Sequence, residues 1–198
     1  MNSKAVRGYR MTARADAAER TGERIVDAML QRYSELPYDR IRLDALAADA
    51  DVTVQTVIRR FGSKHGLLAA TVERELARLA ADRAAALGGD PASTLHALVQ
   101  YYERHGLLIL KLYAEAHQAP GLPELAARGR EYHVNWCRQA FADALTRVQD
   151  TTLHARRLAQ VVAICDATTW RILRFDGGLG PDQTELALLE LLRPLLAG

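Results

Sequence analysis

Residues 43–68 read LDALAADADVTVQTVIRRFGSKHGLL and hold two short helix-forming segments separated by only two residues. The first covers about residues 43–50, and the second opens at Thr53, a good N-cap residue, and ends near residue 61 before Gly62 and Ser63. Asp51 and Val52 form the connection. Helices this short depend on packing against a neighbour. The spacing predicts a helix-turn-helix that packs against a third helix.

Periodicity separates the core side of this motif from its free side. Side chains predicted to face the core are Leu46, Ala47, Ala50, Val52, Val57 and Phe61. Side chains left for a partner are Thr53, Val54, Gln55, Thr56, Ile58, Arg59 and Arg60. A glutamine can bind an adenine edge, an arginine can bind guanine or phosphate, and exposed Val54 and Ile58 can pack on thymine methyl groups. The alternative, a helical hairpin with a solvated arginine face, leaves those two exposed apolar residues unexplained.

The motif resembles the DNA-binding domain of the TetR family of transcriptional regulators, from Leu46-Ala47 through Val52-Thr53 to Phe61-Gly62-Ser63-Lys64. The resemblance covers about residues 18–70. It implies a second motif helix in the major groove of double-stranded DNA, with phosphate contacts from Lys64 and Arg42. Two positions depart from the family pattern. Asp51 replaces the usual turn glycine, which aspartate tolerates because it adopts left-handed geometry more readily than most residues. Ile58 replaces the usual tyrosine.

The rest of the chain predicts an all-α fold of about nine helices, because Ala, Leu and Arg dominate and no strand-like alternation occurs. After a helix from residue 16 that Pro37 ends, and the two motif helices, the further helices are expected near residues 64–87, 92–116, 124–148, 153–175 and 182–192. We predict three regions: a flexible basic arm over residues 1–15, a three-helix DNA-binding domain over 16–68, and a larger helical ligand-binding and dimerisation domain over 69–198.

Composition excludes several classes. No apolar run approaches a membrane span, the N-terminus has no signal-peptide core, and two cysteines make no disulfide framework, so we expect a cytoplasmic protein without membrane contact. Residues 1–65 hold 12 Lys and Arg against 9 Asp and Glu, which permits nucleic-acid binding. We find no nucleophile–base pair, phosphate loop or complete metal set, and expect no enzyme, cofactor or metal.

The C-terminal half is predicted to hold a small-molecule ligand among aromatic and polar side chains. The candidates are Tyr101, His105, Tyr113, His133, Trp136, Cys137, Cys165, Asp166, Thr169 and Trp170. Such rows also occur in plain cores. The last helix is apolar nearly all round, which predicts a homodimer through the last two helices. The expected function is a homodimeric repressor that binds a palindromic operator and is released by a ligand. The alternative is a DNA-binding protein whose C-terminal domain only dimerises or binds a protein.

Overall fold

The computed structural model describes residues 3–84, 89–117 and 121–197. The α-helices of these ranges are α1 (Ser3–Glu35), α2 (Leu43–Asp49), α3 (Val54–Phe61), α4 (Lys64–Ala84), α5 (Pro91–Glu115), α6 (Leu122–Ala140), α7 (Ala142–Thr146), α8 (Thr151–Ile164), α9 (Ala167–Arg171) and α10 (Pro181–Leu196). A 3₁₀ turn covers Tyr38–Arg40 and a π-helical turn covers Ile172–Asp176. The described ranges contain no strand, so the all-α prediction is confirmed for them, with ten α-helices against about nine expected.

The described residues divide into two compact units, one up to Glu75 and the other from Leu76 onward. The division falls inside α4, a few residues beyond the predicted boundary at 68/69, and the assignment of a task to each region stays a prediction. The first unit packs α1, α2 and α3 around fully buried side chains. Ile25 and Met29 come from α1, Leu46 from α2 and Val57 from α3.

The first helix begins at Ser3, so residues 3–15, which we expected to be a loose arm, are helical. Alanine and arginine favour helix without needing an apolar stripe, and extending an existing helix costs far less than starting one. The buried turn around Ile25 and Met29 provides that start. The other end agrees with expectation, because α1 stops at Glu35, two residues before Pro37.

Two helices that we expected to be continuous are interrupted. Phe141 leaves helical geometry (φ −116°, ψ 26°) and separates α6 from α7, while its ring is buried edge-on against Trp136. Asp166 separates α8 from α9, because its carboxylate accepts a hydrogen bond from the backbone N–H of Thr168 at 2.8 Å and caps a new helix. In both places a tertiary or capping interaction overrides a pattern that favours one long helix.

The second unit is organised around Trp170, which is 2% exposed and packs against Tyr102 and Phe175 at centroid distances of 5.7 and 5.6 Å. Its ring lies so close to Gly106 that a Cβ there would come within 2.8 Å of Cη2. The predicted break before α5 is capped by Asp90, whose carboxylate accepts from two backbone N–H groups. Residues 85–88 of that break lie outside the described residues. In the described ranges no helix is long and apolar enough to cross a membrane.

Candidate nucleic-acid interface

The connection between α2 and α3 is a tight turn held by backbone hydrogen bonds. Asp51 has φ +51°, so the residue that replaces the usual glycine does adopt left-handed geometry, as predicted. The N–H of Val52 donates to the carbonyl of Ala47 at 2.9 Å and closes the turn. Thr53 then caps α3, because its hydroxyl accepts from the N–H of Thr56 at 3.2 Å. The local sequence therefore sets where α3 starts.

Helix α3 has one buried edge and one broad free face. Val57 is fully buried as expected, whereas Phe61, expected to be a second core contact, is only half-buried. We use the term contact face for Val54, Gln55, Ile58 and Arg59, which are all exposed. Val54 and Ile58 are each 38% exposed, although both are aliphatic.

Some polar side chains of α3 and its cap already have hydrogen-bond partners within the chain, and others do not. Gln55 and Arg59 have no hydrogen-bonding or ionic partner in the part of the chain that the structure describes. The hydroxyls of Thr53 and Thr56 are 3.0 Å apart and bond to each other. Gln55 and Arg59 are therefore free to meet a base edge or a phosphate, while the two threonines have to give up an existing bond.

Arg60 turns away from the contact face. Its Nη1 donates to the carbonyl of Ala18 on α1 at 2.7 Å, and its guanidinium covers Gly22. The same cation lies 5.8 Å from the centroid of the Phe61 ring. The prediction that Arg60 binds DNA is not tested by these contacts, but they give it a partner within the protein.

Lys64, expected at a phosphate, is also engaged within the chain. Its Nζ donates to the carbonyls of Tyr38 and Ile41 at 2.9 and 3.0 Å and lies 4.4 Å from the Tyr38 ring centroid. The ring is buried, and burial raises the pKa of the Tyr38 phenol. An ammonium has three N–H donors, so one remains for a phosphate. Lys64 thus ties the start of α4 to the segment before α2, whatever else it binds.

Arg42 lies on the surface at the start of α2 and pairs with Asp44 at 2.6 Å. The hydrogen bond from Arg42, followed by one from the backbone N–H of Ala45, lowers the pKa of the Asp44 carboxyl to about 2. The Arg42 side chain is 77% exposed and remains accessible to an anion. Our sequence reasoning missed Arg40, an exposed cation without a partner among the described residues. The sequence did contain a signal for it, because Arg40 lies only two positions before Arg42.

Other arginines of the first unit hold its helices together. Arg24 Nε donates to the carbonyl of Ala50 at 3.2 Å, at the end of α2. Arg32 Nε donates to the carboxylate of Asp49, and its Nη2 donates to the carbonyl of Ala45, both on α2. Arg74 pairs with Glu23 and with a second α1 carboxylate at 2.9 and 2.8 Å. Part of the basic charge of this unit therefore binds groups within the chain, and the basic excess does not by itself measure a nucleic-acid footprint.

Most of the predicted ligand side chains lie in the packed core of the second unit. Those at most 7% exposed are Tyr101, His133, Trp136, Cys137, Cys165 and Trp170. The ring of His105 is tilted by 35° against that of Tyr101 at a centroid distance of 4.9 Å, and the Tyr113 ring centroid lies 5.2 Å from the Arg130 guanidinium. The hydroxyl of Thr169 donates to the carbonyl of Ala163 at 2.6 Å.

His133 and Cys137 lie one helical turn apart on α6. His133 Nε2 is 3.6 Å from Cys137 Sγ and 3.2 Å from the carbonyl oxygen of Val162. Within the described ranges no third His, Cys, Asp or Glu joins them. An apolar groove of about 430 Å³ does open between α6 and α8. Its lining is Val134, Ala155, Leu158, Ala159, Val162, Ala163 and Asp166. Asp166 is the one predicted ligand residue among them, so the groove and the predicted site largely differ.

Comparison with known proteins gives curated relatives that match part of the chain and several similar structures. The chain is 34% identical over 116 residues to the HTH-type transcriptional repressor KstR of Mycolicibacterium smegmatis, a match over 58% of this chain and 52% of that protein. The chain thus spans about half the length of the curated relatives it matches. No protein-family model matches it.

Two crystal structures from Rhodococcus share the fold over most of their length. A transcriptional regulator superposes with a TM-score of 0.69 at 22% identity, covering 89% of this chain and 96% of that one. A putative TetR-family transcriptional regulator gives a TM-score of 0.67 at 18% identity, covering 90% and 99%. The helix-turn-helix and the match to a repressor agree with this shared fold, so the chain has the fold of TetR-family transcriptional regulators and is similar in sequence to an HTH-type transcriptional repressor.

Proposed function

We propose that the chain is a homodimeric transcriptional repressor that binds a palindromic operator through α3 and is released by a small molecule. The observation that carries the proposal is the contact face, where Gln55 and Arg59 have no partner in the described residues and Val54 and Ile58 expose aliphatic surface. Polar groups without a partner beside aliphatic groups suit a major groove, which offers donors, acceptors and thymine methyl groups together.

Specificity would be divided within the contact face. Gln55 can bind the N6 and N7 edge of adenine, and Arg59 can bind guanine or a phosphate. Val54 and Ile58 lie one helical turn apart and can cover the methyl groups of neighbouring thymines. Arg40, Arg42 and the remaining donor of Lys64 would bind phosphates, which position the protein without discriminating between sequences.

Dimerisation is supported by exposed apolar side chains near the end of the chain. Ile172 and Phe175 are 47% and 55% exposed, and Leu186 and Leu191 on α10 are 51% and 48% exposed. Several large apolar side chains exposed in one region of the chain are compatible with an interface. A two-fold protein would match a two-fold operator.

Sedimentation analysis tests the dimer. Phe175→Glu together with Leu186→Glu should convert the dimer to a monomer, since each places a charge in an apolar interface. The matched control is Leu107→Glu on α5, where a leucine that is 59% exposed lies outside the last helices. A dimer that survives the double substitution and dissociates with the control would place the interface elsewhere.

Selection of duplex DNA from a random pool, at stated salt concentrations, tests the operator. An inverted repeat should be enriched. Gln55→Ala should relax the preference at one position of each half-site, by about 1–3 kcal/mol of discrimination. Gln100→Ala, at an exposed glutamine of α5, is the control and should change nothing. If no sequence is enriched at moderate salt, the proposed function is wrong.

Ligand release has a competitor with an observation in its favour. A C-terminal domain that only dimerises needs no cavity, and most of the predicted ligand side chains are core. The groove between α6 and α8, with apolar walls and the Asp166 carboxylate, supports a ligand instead. A screen of small molecules against the selected duplex decides between them. Loss of operator binding with one compound supports release, and unchanged binding across a saturating screen supports the dimerisation module.

A further inference from the structure

Two consecutive arginines at the end of α3 are both exposed but differ in their partners. Arg59 is exposed and has no partner among the described residues. Arg60 donates from Nη1 to the Ala18 carbonyl at 2.7 Å, across 42 positions of sequence. A helix turns by about 100° per residue, so Arg60 lies roughly 170° around α3 from the middle of the contact face. The same geometry that points Arg59 outward points Arg60 at α1.

The Arg60 guanidinium contacts α1 at a glycine, Gly22. A Cβ at Gly22 would lie 2.5 Å from both Cζ and Nε of Arg60, and closer still to Nη2. Three atoms of one planar group at nearly equal range mean that the guanidinium lies flat over the Gly22 backbone. Gly22 is buried. Glycine weakens a helix interior, so its presence in α1 needs a packing reason, and the flat approach of Arg60 supplies one.

We propose that Arg60 is a positioning residue, which clamps the end of α3 to α1 over Gly22, and that it makes no contact with DNA. The inference rests on the proposed binding of DNA by α3. The eight-residue helix has one fully buried side chain, Val57, and Phe61 is half-buried. A helix held mainly at one point can rotate about it. The bond to Ala18 adds a second point and fixes the direction of the contact face.

A phosphate-binding residue and a positioning residue differ in how their removal changes the salt dependence of DNA binding. A cation that meets a phosphate releases a counterion, so its removal lowers the slope of log K against log salt by about one. A positioning residue leaves the slope unchanged and instead lowers the preference for the selected sequence over a scrambled one. Substitution at Gly22 separates the roles further, because Gly22→Ala displaces the Arg60 guanidinium without removing its charge.

The experiment measures fluorescence anisotropy of two labelled duplexes, the one selected from the random pool and a scrambled duplex of the same composition. The full-length wild type is compared with Arg60→Gln, Arg60→Ala, Gly22→Ala, the double variant Gly22→Ala/Arg60→Ala, and Arg59→Gln over a series of NaCl concentrations. Thermal unfolding followed by circular dichroism confirms that each variant is folded at the assay temperature.

We expect Arg60→Gln and Gly22→Ala each to weaken binding of the selected duplex by about tenfold, with less discrimination and an unchanged salt slope. In the double variant Gly22→Ala should add nothing to the loss from Arg60→Ala, since no guanidinium is left to displace. Arg59→Gln should change the slope or the base preference.

The inference alone is overturned if Arg60→Gln lowers the salt slope by about one while Gly22→Ala binds as the wild type does. It is overturned equally if both variants bind and discriminate as the wild type does. If the wild type prefers no duplex at any salt concentration, the proposed function fails and the inference with it.

Discussion

Both compact units of the chain have an apolar core, but the interactions most prominent beside that core differ. In the first, cationic side chains reach backbone carbonyls of other segments, as Arg24 does at Ala50 and Lys64 at Tyr38 and Ile41. In the second, aromatic rings pack around Trp170. Small domains bury too little apolar surface to rely on packing alone. Charged donors on carbonyls provide the additional interactions, and they leave the surface of α3 available.

The largest expected change in stability comes from the aromatic core of the second unit. Trp170→Ala removes the largest fully buried side chain and should lower the free energy of unfolding by about 3–5 kcal/mol, measured with urea and circular dichroism. Trp170→Phe, which keeps a ring but loses the N–H that donates to Glu103 at 2.8 Å, should cost less. A loss below about 1 kcal/mol for the alanine variant would mean that the site tolerates a cavity, as a ligand pocket does.

The next largest change in stability is expected in the first unit, where Lys64 donates to backbone carbonyls. Lys64→Met removes two hydrogen bonds to carbonyls and should lower the free energy of unfolding by about 1–2 kcal/mol, since bonds from a charged donor are the stronger kind and Lys64 is partly exposed. It should also weaken binding to all duplexes alike and lower the salt slope by up to about one. Arg59→Met is the control, and its stability should stay within about 0.5 kcal/mol of the wild type. Equal stability loss in both variants would contradict the distinction.

A smaller effect concerns the start of α3. Thr53→Ala removes the cap hydroxyl and should cost about 1 kcal/mol of unfolding free energy. Thr53→Ser keeps a hydroxyl that accepts from Thr56 and should cost less. Hydrogen exchange at the first turn of α3 measures the local part of the effect. If exchange there is unchanged by the alanine variant, the turn around Asp51 fixes the helix start without the cap.

The smallest effect is a pH dependence in the second unit. Hydrogen bonds from Arg174, at 2.6 and 2.8 Å, lower the pKa of the Glu103 carboxyl, burial opposes them, and Trp170 adds to the lowering. A lowered pKa in the folded state means that the contribution is present above about pH 4.5 and is lost as the pH falls through the lowered value. Partial exposure keeps it below about 1 kcal/mol. Unfolding curves of Glu103→Gln should lack this acid-dependent part, and an unchanged acid limb would show that the pair does not stabilise the fold.

The helix-turn-helix could be predicted in detail because its information is local. Short helices with a two-residue connection leave few ways to bury Leu46 and Val57, and the left-handed geometry at Asp51 follows from the turn. The hydrogen-bond partners of Arg60 and Lys64 could not be predicted, because a long side chain can reach several backbone carbonyls that are distant in sequence. Gly22 gave a signal, as a glycine inside a helix, that we did not use.

The helices of the second unit were largely predictable, whereas its ligand site stays a prediction. A buried aromatic row and a ligand-lining row have the same periodicity, so Trp136 and Tyr101 qualified as ligand residues and lie in the core. The groove between α6 and α8 is lined mainly by alanine, valine and leucine, which carry no chemical signal in the sequence. The breaks at Phe141 and Asp166 depend on contacts that form only in the folded unit.

Cys137 and Cys165 are the only cysteines of the chain, and both are fully buried. Thiol reagents require an accessible thiolate, so in the native state they should react far faster with a cysteine introduced at an exposed position. A spin label or fluorophore could then be attached to α3 without replacing either native thiol. In the proposed dimer, distances between the two labels would report how far apart the α3 helices lie before and after a compound is added.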